Sequence, residues 1–334
     1  PPPRDPRWRG FNLIEMTDGE RGRRFEEFDF AFLAQWGFNF ARLPVSYWCW
    51  SDPARWTEID ERALAPLDQA VEWGRQYGLH LNLGLHRIPG YCVNRRELEP
   101  EPLFTGARPA SPRALEVAVQ HWTMLARRYR HVPADRLSFD LLNEPPFMAD
   151  HAEYVHIART LIAAIRAVSP DRVIVVDGAD IGQTPVLALA GDGVMQSTRG
   201  YLPKMVSHYT ATWVPEAEFE SHALPTWPMT DARGSRWDRA RLRAELIDKW
   251  RPLVDRGVKV HVGEWGCFTR TPHAACLGWM SDLLALWGEA GWGWAMWNLR
   301  GSFGPLDSGR ADVAYETVSG HQVDRKMLDL LLAH

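Results

Sequence analysis

An α/β fold, a (β/α)8 TIM barrel forming a single domain over residues 1–334, is what the sequence predicts, and three observations predict it. Short apolar runs alternate with longer amphipathic stretches through the whole length, as in repeated β-α units around a parallel sheet. The runs number eight, enough to close a barrel. A chain of 334 residues, 46% of them hydrophobic, buries a large core and suits one barrel better than two ordinary domains.

The eight strand candidates are Arg9–Ile14, Phe38–Leu43, His80–Leu85, Leu137–Leu142, Arg172–Val176, Met205–His208, Val258–Gly263 and Gly293–Trp297. Between the second and third, apolar Leu64, Leu67, Ala70 and Val71 recur at helical spacing. Between the third and fourth, Leu115, Val119, Trp122 and Ala126 do the same, and Ser111-Pro112 marks that helix's start as a cap followed by proline in the first turn. Leu242, Leu246 and Trp250 predict a helix before the seventh strand. Thr210–Arg236, rich in Pro, Trp and Thr, reads as a long loop after the sixth strand, where barrel loops shape a substrate site.

Composition excludes several classes of partner. A formal charge of -4 without any dense Lys/Arg block argues against nucleic acid and against an anionic membrane surface. No apolar stretch is long enough to span a bilayer. The chain begins Pro1-Pro2-Pro3 with no basic segment followed by an apolar one, which leaves a cytoplasmic protein or a secreted or periplasmic one whose signal peptide has been removed. Oligomeric state is not encoded in any motif.

The four cysteines, Cys49, Cys92, Cys267 and Cys276, lack CxxC spacing; Cys49 and Cys92 follow neighbouring strands and are placed for a bridge, with free thiols as the alternative. Tryptophan, at 17 residues, is the compositional outlier. Sugar rings present flat C–H faces to aromatic planes, so Trp48, Trp50, Trp213, Trp227 and Trp297, outside helical faces, fit a carbohydrate groove. Trp73, Trp122 and Trp250 fall in helical periodicity and read as packing residues.

Two carboxylates each end an apolar strand-like segment: Glu144 in Ser138–Pro145 and Glu264 in Val260–Gly266. Cleaving a glycosidic bond needs one carboxyl group to protonate the leaving oxygen and another to attack or stabilise the anomeric carbon, and strand ends on one rim of a barrel provide both.

These carboxylates lie within a longer series of motifs: Arg9-Gly10-Phe11-Asn12, Asn39–Pro44, His86–Gly90, Asn143-Glu144-Pro145, His208-Tyr209, Gly263–Gly266 and Trp297-Asn298. In this order and spacing the chain resembles glycoside hydrolase family 5, the cellulase-like retaining β-glycosidases built on a TIM barrel, over nearly its full length. The resemblance implies Glu144 as general acid/base and Glu264 as nucleophile, with carboxyl groups about 5–5.5 Å apart as a retaining enzyme requires. Arg42 is then expected to donate to the Glu264 carboxylate, Asn143 to the sugar 2-hydroxyl, and His86 and His208 to the sugar and the nucleophile, while Trp297 forms the platform beneath the sugar. The chain departs from the family's His-x-Tyr after the sixth strand: His208-Tyr209-Thr210 stands there, so Tyr209 is the candidate for the tyrosine at the nucleophile, shifted from its usual spacing. Trp48 and Trp213 are further candidates for sugar contact, and Asp307 and Arg310, near Asp312 in the last loop, for binding terminal hydroxyls; a salt-bridged solvated loop is the alternative.

Two other classes compete. A metal-dependent barrel hydrolase would need converging ligands such as His-x-His, and His80, His86, His208 and His261 are scattered, so no metal and no cofactor is expected. A non-catalytic sugar-binding pseudoenzyme is disfavoured because both glutamates are intact. The expectation is a retaining glycosidase on an oligo- or polysaccharide, first β-1,4-glucan cut internally, with exo action or a β-mannan substrate as the alternatives.

Overall fold

The computed structural model describes residues 7–106, 111–214 and 223–334. Its main strands are β1 (Arg9–Asn12), β2 (Phe40–Ser46), β3 (His80–Ile88), β4 (Leu137–Asp140), β5 (Ile174–Asp177), β6 (Met195–Gly200), β7 (Val260–Trp265) and β8 (Gly293–Met296). The longer helices are α1 (Glu27–Gln35), α2 (Ala65–Gln76), α3 (Pro112–Arg128), α4 (Ala152–Val168), α5 (His273–Ala290) and α6 (Arg325–Leu332). The predicted alternation of strand and helix is therefore present in the described residues.

The chain divides into two compact units: Leu13–Thr198 with Pro252–His261, and the residues up to Asn12 with Arg199–Arg251 and Val262–His334. In the first, β2 runs parallel to β3 (Phe40 opposite His80, Val45 opposite Leu85), β3 parallel to β4 (Leu81 opposite Leu137, Gly84 opposite Asp140), and β4, β5 and β6 continue in parallel. Both faces of β2 and β3 are covered: every residue of the two strands is buried, including the polar Arg42, Asn82 and His86. Helix α3 contributes Leu115, Trp122 and Leu125 to the core and presents its arginines outward.

In the second unit β1 pairs parallel with β8, Phe11 opposite Met296. The Asn12 side-chain amide donates to the carbonyls of Gly263 (3.0 Å) and Ala295 (3.2 Å), joining the ends of β1, β7 and β8 with one buried polar group. Beneath β7, Trp265 packs edge-on against Trp287 (centroids 4.8 Å apart) and Trp294 (5.5 Å). Each such pair contributes about 0.5–1.5 kcal/mol beyond its area burial. Much of the tryptophan excess is thus core, and Trp50, expected in a groove, is fully buried with its indole N–H on His121.

One strand assignment is corrected. Met205–His208 does not form the sixth strand: Lys204–Ser207 is a short helix, and the strand is β6, ten residues earlier. The physical reason is that β6 buries polar side chains, Gln196, Ser197, Thr198 and Arg199, so it carries no apolar signal. Their groups are satisfied locally; Gln196, for one, exchanges hydrogen bonds with both the N–H (2.9 Å) and the C=O (2.8 Å) of Val186. Met205 and Val206 are apolar because the short helix buries them. Of the loop Thr210–Arg236, residues 215–222 lie outside the described residues; its later part forms a small hairpin, Met229–Thr230 with Arg236–Trp237. The helix expected around Leu242, Leu246 and Trp250 is a succession of short turns of α, π and 3-10 type.

All four cysteines are free and buried. Cys49 donates to the Met16 carbonyl (3.3 Å), and burial pushes its thiol up to about 11. Among the described residues no helix is long and apolar enough to cross a membrane.

Two buried histidines tie the first unit to pH. His121 accepts from Trp50 at Nδ1 (3.0 Å) and donates from Nε2 to the Trp56 carbonyl (2.7 Å); His80 lies between the Asp135 carbonyl and Ser138. Burial pushes both down to about 4. Because the folded-state value is depressed, the unfolded chain takes up protons first, so the associated stability is present above about pH 6.5 and is lost as pH falls towards 4, on the order of 3 kcal/mol each. Gln at position 121 can donate to Trp56 and accept from Trp50 without titrating. Urea unfolding of His121→Gln is expected to lose less stability between pH 6.5 and 4.5 than the parent; equal losses would contradict this.

Candidate active site

In the first unit the candidate site residues come from β2 to β5 and the segments that follow them. Arg42 is buried, and its Nε donates to Asp140 Oδ2 (2.9 Å) while its terminal nitrogen donates to Asn143 Oδ1 (2.9 Å). The expected partner of Arg42 is Glu264; the ion pair observed at its Nε is with Asp140. Gly84 makes room for this pair, since a Cβ there would meet Asp140 Cβ at 3.1 Å. Engaging Oδ1 orients the Asn143 amide, so that Nδ2 is the end with which it can donate to a sugar hydroxyl.

Glu144, half-buried, follows directly in a left-handed conformation, φ 50°. Such a conformation costs a non-glycine residue of order 1–3 kcal/mol and persists only where the surroundings impose it. Here Glu144 N–H donates to Asp177 Oδ2 (2.8 Å), and its carbonyl accepts from the Tyr91 hydroxyl (2.6 Å). Burial, then the Glu144 charge, push the Tyr91 hydroxyl up, so it stays a protonated donor. The chain at the end of β4 is therefore held through the main chain of Glu144.

His86 is buried within β3, which runs three residues beyond its predicted end. Trp48 lies on a single 3-10 turn and is half-buried, with the Arg87 guanidinium 3.9 Å from its ring centroid. Arg87 is held by Glu99 (2.6 Å), whose other oxygen accepts from Tyr47 (2.8 Å) and Gly90 N–H (3.0 Å). One ring face of Trp48 is thus covered by the protein itself.

In the second unit Glu264 sits in β7 with only 4% of its surface exposed. The Tyr201 hydroxyl donates to its Oε2 (3.2 Å), and the Arg199 guanidinium pairs with its Oε1 at 3.5 Å, both side chains in the ion pair being buried. The tyrosine on the nucleophile candidate is therefore Tyr201 and not Tyr209, which lies half-buried beyond the short helix. Misplacing β6 hid it. Arg199-Gly200-Tyr201 has the spacing of His-x-Tyr with arginine in the first position, a signal available once the strand is placed correctly.

His208 stacks edge-on to Tyr201 (4.8 Å) and donates from Nδ1 to Ser207 Oγ (2.8 Å), which in turn donates to the Tyr201 carbonyl (2.5 Å). It supports Tyr201 through this chain. Trp297 packs on the cluster of Ala211, Phe268 and Phe303, and its peptide bond to Asn298 is cis. Trp213, on the same cluster, is 54% exposed and 6.3 Å from His208.

The last loop is occupied by its own chain. Asp307 binds His321 (2.6 Å) and the Gln322 N–H (2.8 Å). Arg310 is buried, donating to the carbonyls of Thr271 (2.9 Å) and Cys267, where it braces the loop after β7 rather than reaching out to solvent. Asp312 accepts from the His273 N–H at the start of α5 (2.7 Å). Sequence reasoning missed Asp140, Asp177, Tyr91, Arg199 and Tyr201. Among the described residues no group of three or more His, Cys, Asp or Glu is arranged to hold a metal ion.

The sequence matches the family described as Cellulase (glycosyl hydrolase family 5) over residues 7–302. The chain belongs to that family. It is a glycoside hydrolase with the family's (β/α)8 barrel: a solved glycoside hydrolase superposes with TM-score 0.92 at 35% identity, covering 98% of this chain and 99% of the other. Endoglucanase Cel5A of Thermotoga maritima shares the fold (TM-score 0.74, 20% identity, 97% and 96% covered). Among curated family relatives, cellodextrinase A of Ruminococcus flavefaciens is 30% identical over 219 residues, 62% of each chain. Endoglucanase C of Acetivibrio thermocellus is 24% identical over 295 residues, 82% of this chain and 83% of the relative.

Gly200, between the two partners of Glu264, lies against Trp265 and Trp287. A Cβ at 200 would fall 2.7 Å from the Trp287 ring and 2.9 Å from Trp265 Cβ. Gly200→Ala is expected to lower stability by about 1–3 kcal/mol in urea unfolding through overpacking, and to lower kcat with it; full stability and activity would show that this packing does not position the pair.

Proposed function

We propose that the chain, as one catalytic domain, hydrolyses β-1,4-glucan with retention of anomeric configuration, Glu264 acting as nucleophile and Glu144 as general acid/base. The observation that carries this reading is the treatment of Glu264: a nearly buried carboxylate with an arginine at one oxygen and a tyrosine hydroxyl at the other is kept ionised and aimed, as a nucleophile must be. Glu144 has its main chain clamped and its side chain half-exposed, which suits an acid that protonates a leaving oxygen and then deprotonates water.

In the first step Glu264 attacks C1, the glycosidic C–O bond breaks, and Glu144 gives its proton to the leaving oxygen. In the second, water attacks C1, the bond to Glu264 breaks, and Glu144 takes the water's proton. Asn143, oriented by Arg42, donates to the sugar 2-hydroxyl, while Trp297 and exposed Trp213 supply faces for sugar rings. Family membership and the cellodextrinase and endoglucanase relatives favour a β-glucan. Internal cleavage is favoured over exo action by the last loop, whose Asp307 and Arg310 are engaged within the chain and do not form a charged stopper.

A screen of β-glucans, β-mannans and aryl β-glycosides tests the substrate. Viscosity of soluble cellulose is expected to fall before much reducing sugar appears; reducing sugar rising in step with viscosity loss would mark an exo enzyme, and turnover confined to mannan would move the assignment to a mannanase.

Glu264→Gln is expected to abolish turnover of every substrate. Glu144→Gln should lose about 10²–10⁴-fold on substrates with poor leaving groups and far less on dinitrophenyl glycosides, which need no protonation. Equal residual activities of the two variants across leaving groups would contradict the roles. Trp213→Ala is expected to raise KM for cello-oligosaccharides severalfold and leave KM for a short aryl glycoside unchanged, which steady-state kinetics would check; equal effects on both would remove Trp213 from sugar binding.

A further inference from the structure

We propose that Arg199 is a positioning residue that divides the work between the two half-reactions, speeding release of the glycosyl-enzyme at the expense of its formation. The inference rests on the reading of Glu264 as nucleophile.

Its basis is the buried ion pair. The Arg199 guanidinium lies 3.5 Å from Glu264 Oε1, with 3% and 6% of the two side chains exposed, and Tyr201 occupies Oε2. Tyrosine and arginine act differently on this carboxylate. The phenol is a neutral donor, whereas the guanidinium remains charged at every working pH, in a setting where charge interactions are stronger than in water. Between them Gly200, the last residue of β6, packs where only a residue without Cβ fits against Trp265 and Trp287.

The consequences follow from where the negative charge lies at each stage. During formation of the intermediate, Glu264 spends its charge: its oxygen bonds to C1, the aglycone departs with the glycosidic electron pair, and the proton comes from Glu144. A cation at Oε1 stabilises the carboxylate before reaction more than in the transition state, so it slows this step. During release, water bonds to C1, its proton passes to Glu144, and Glu264 leaves with the electron pair of the ester bond. The same cation then stabilises a charge that is growing. Esterification also removes a counter-charge from a buried guanidinium, which raises the energy of the intermediate relative to both flanking states. Arginine at this position therefore guards against a glycosyl-enzyme that is made readily and lost slowly.

The test uses the intact chain and a 2,4-dinitrophenyl 2-deoxy-2-fluoro-β-cellobioside, whose good leaving group forms the intermediate and whose fluorine slows its loss. Inactivation and reactivation rates are measured separately for the parent, Arg199→Met and Arg199→Lys. Arg199→Met is expected to reactivate on the order of tenfold more slowly or beyond, with an inactivation rate unchanged or raised, and Arg199→Lys to reactivate close to the parent. A fall in both rates together, or an unchanged reactivation rate, would overturn the proposal. Should the methionine variant not fold, Arg199→Gln carries the same comparison with lysine. Peptide mapping of the trapped enzyme separates the two levels: a label on Glu264 with unchanged reactivation refutes the role of Arg199 alone, whereas a label on another residue refutes the assignment of the nucleophile.

Discussion

The buried carboxylate of Glu264 is the constraint to which the second unit is built. Burying a charge at a strand end is costly unless partners replace the lost water. Arg199 comes from β6 and Tyr201 directly follows it, so both partners reach Glu264 from one strand end. Gly200 between them packs against two tryptophan side chains, and the Ser207–His208 chain fixes Tyr201 from the far side. The tryptophans below supply the rigid floor. Without that floor, a 3.2 Å hydrogen bond and a 3.5 Å ion pair would not survive the entropy of holding an arginine and a tyrosine in one geometry.

Glu144 is handled in the opposite way. The residue is half-buried, and its backbone is fixed through Asp177, Tyr91 and a left-handed turn that the strand end would not adopt unaided. Arg42 and Asp140 form a second buried pair whose visible task is to orient Asn143. Removing one member of such a pair leaves a buried charge uncompensated and costs about 3–5 kcal/mol, so Asp140 belongs to the site through what it makes Arg42 and Asn143 do. The surroundings of the two carboxylates thus differ as the proposed roles require, a nucleophile that stays charged and an acid that changes charge.

Legibility in the sequence followed the hydrophobic signal. Seven of the eight strands are near where apolar runs put them, and Glu144, Glu264, Asn143 and Trp297 stand out as candidates because short motifs accompany them. The sixth strand is not where a run puts it, because Gln196, Ser197, Thr198 and Arg199 break the apolar pattern by being useful inside. That single slip carried the tyrosine with it, from Tyr201 to Tyr209. The remaining misses have a common form: Asp177 and Tyr91 hold the backbone of Glu144 and Asp140 holds the Arg42 guanidinium, and such roles are defined by contacts between residues 33 to 98 positions apart, which local pattern does not record. Tryptophan count was a poor guide for the opposite reason, since Trp50, Trp265 and Trp287 satisfy the same composition by packing.

Double displacement at a charged, fixed Glu264 is the central claim, and the configuration of the first-formed product reads it most directly. Proton NMR of cello-oligosaccharide hydrolysis, followed from the first minute, should show the β-anomer appearing first and the α-anomer only as mutarotation proceeds. Initial release of the α-anomer would mean a single inversion by water, and Glu264 would then have to be a base and not a nucleophile.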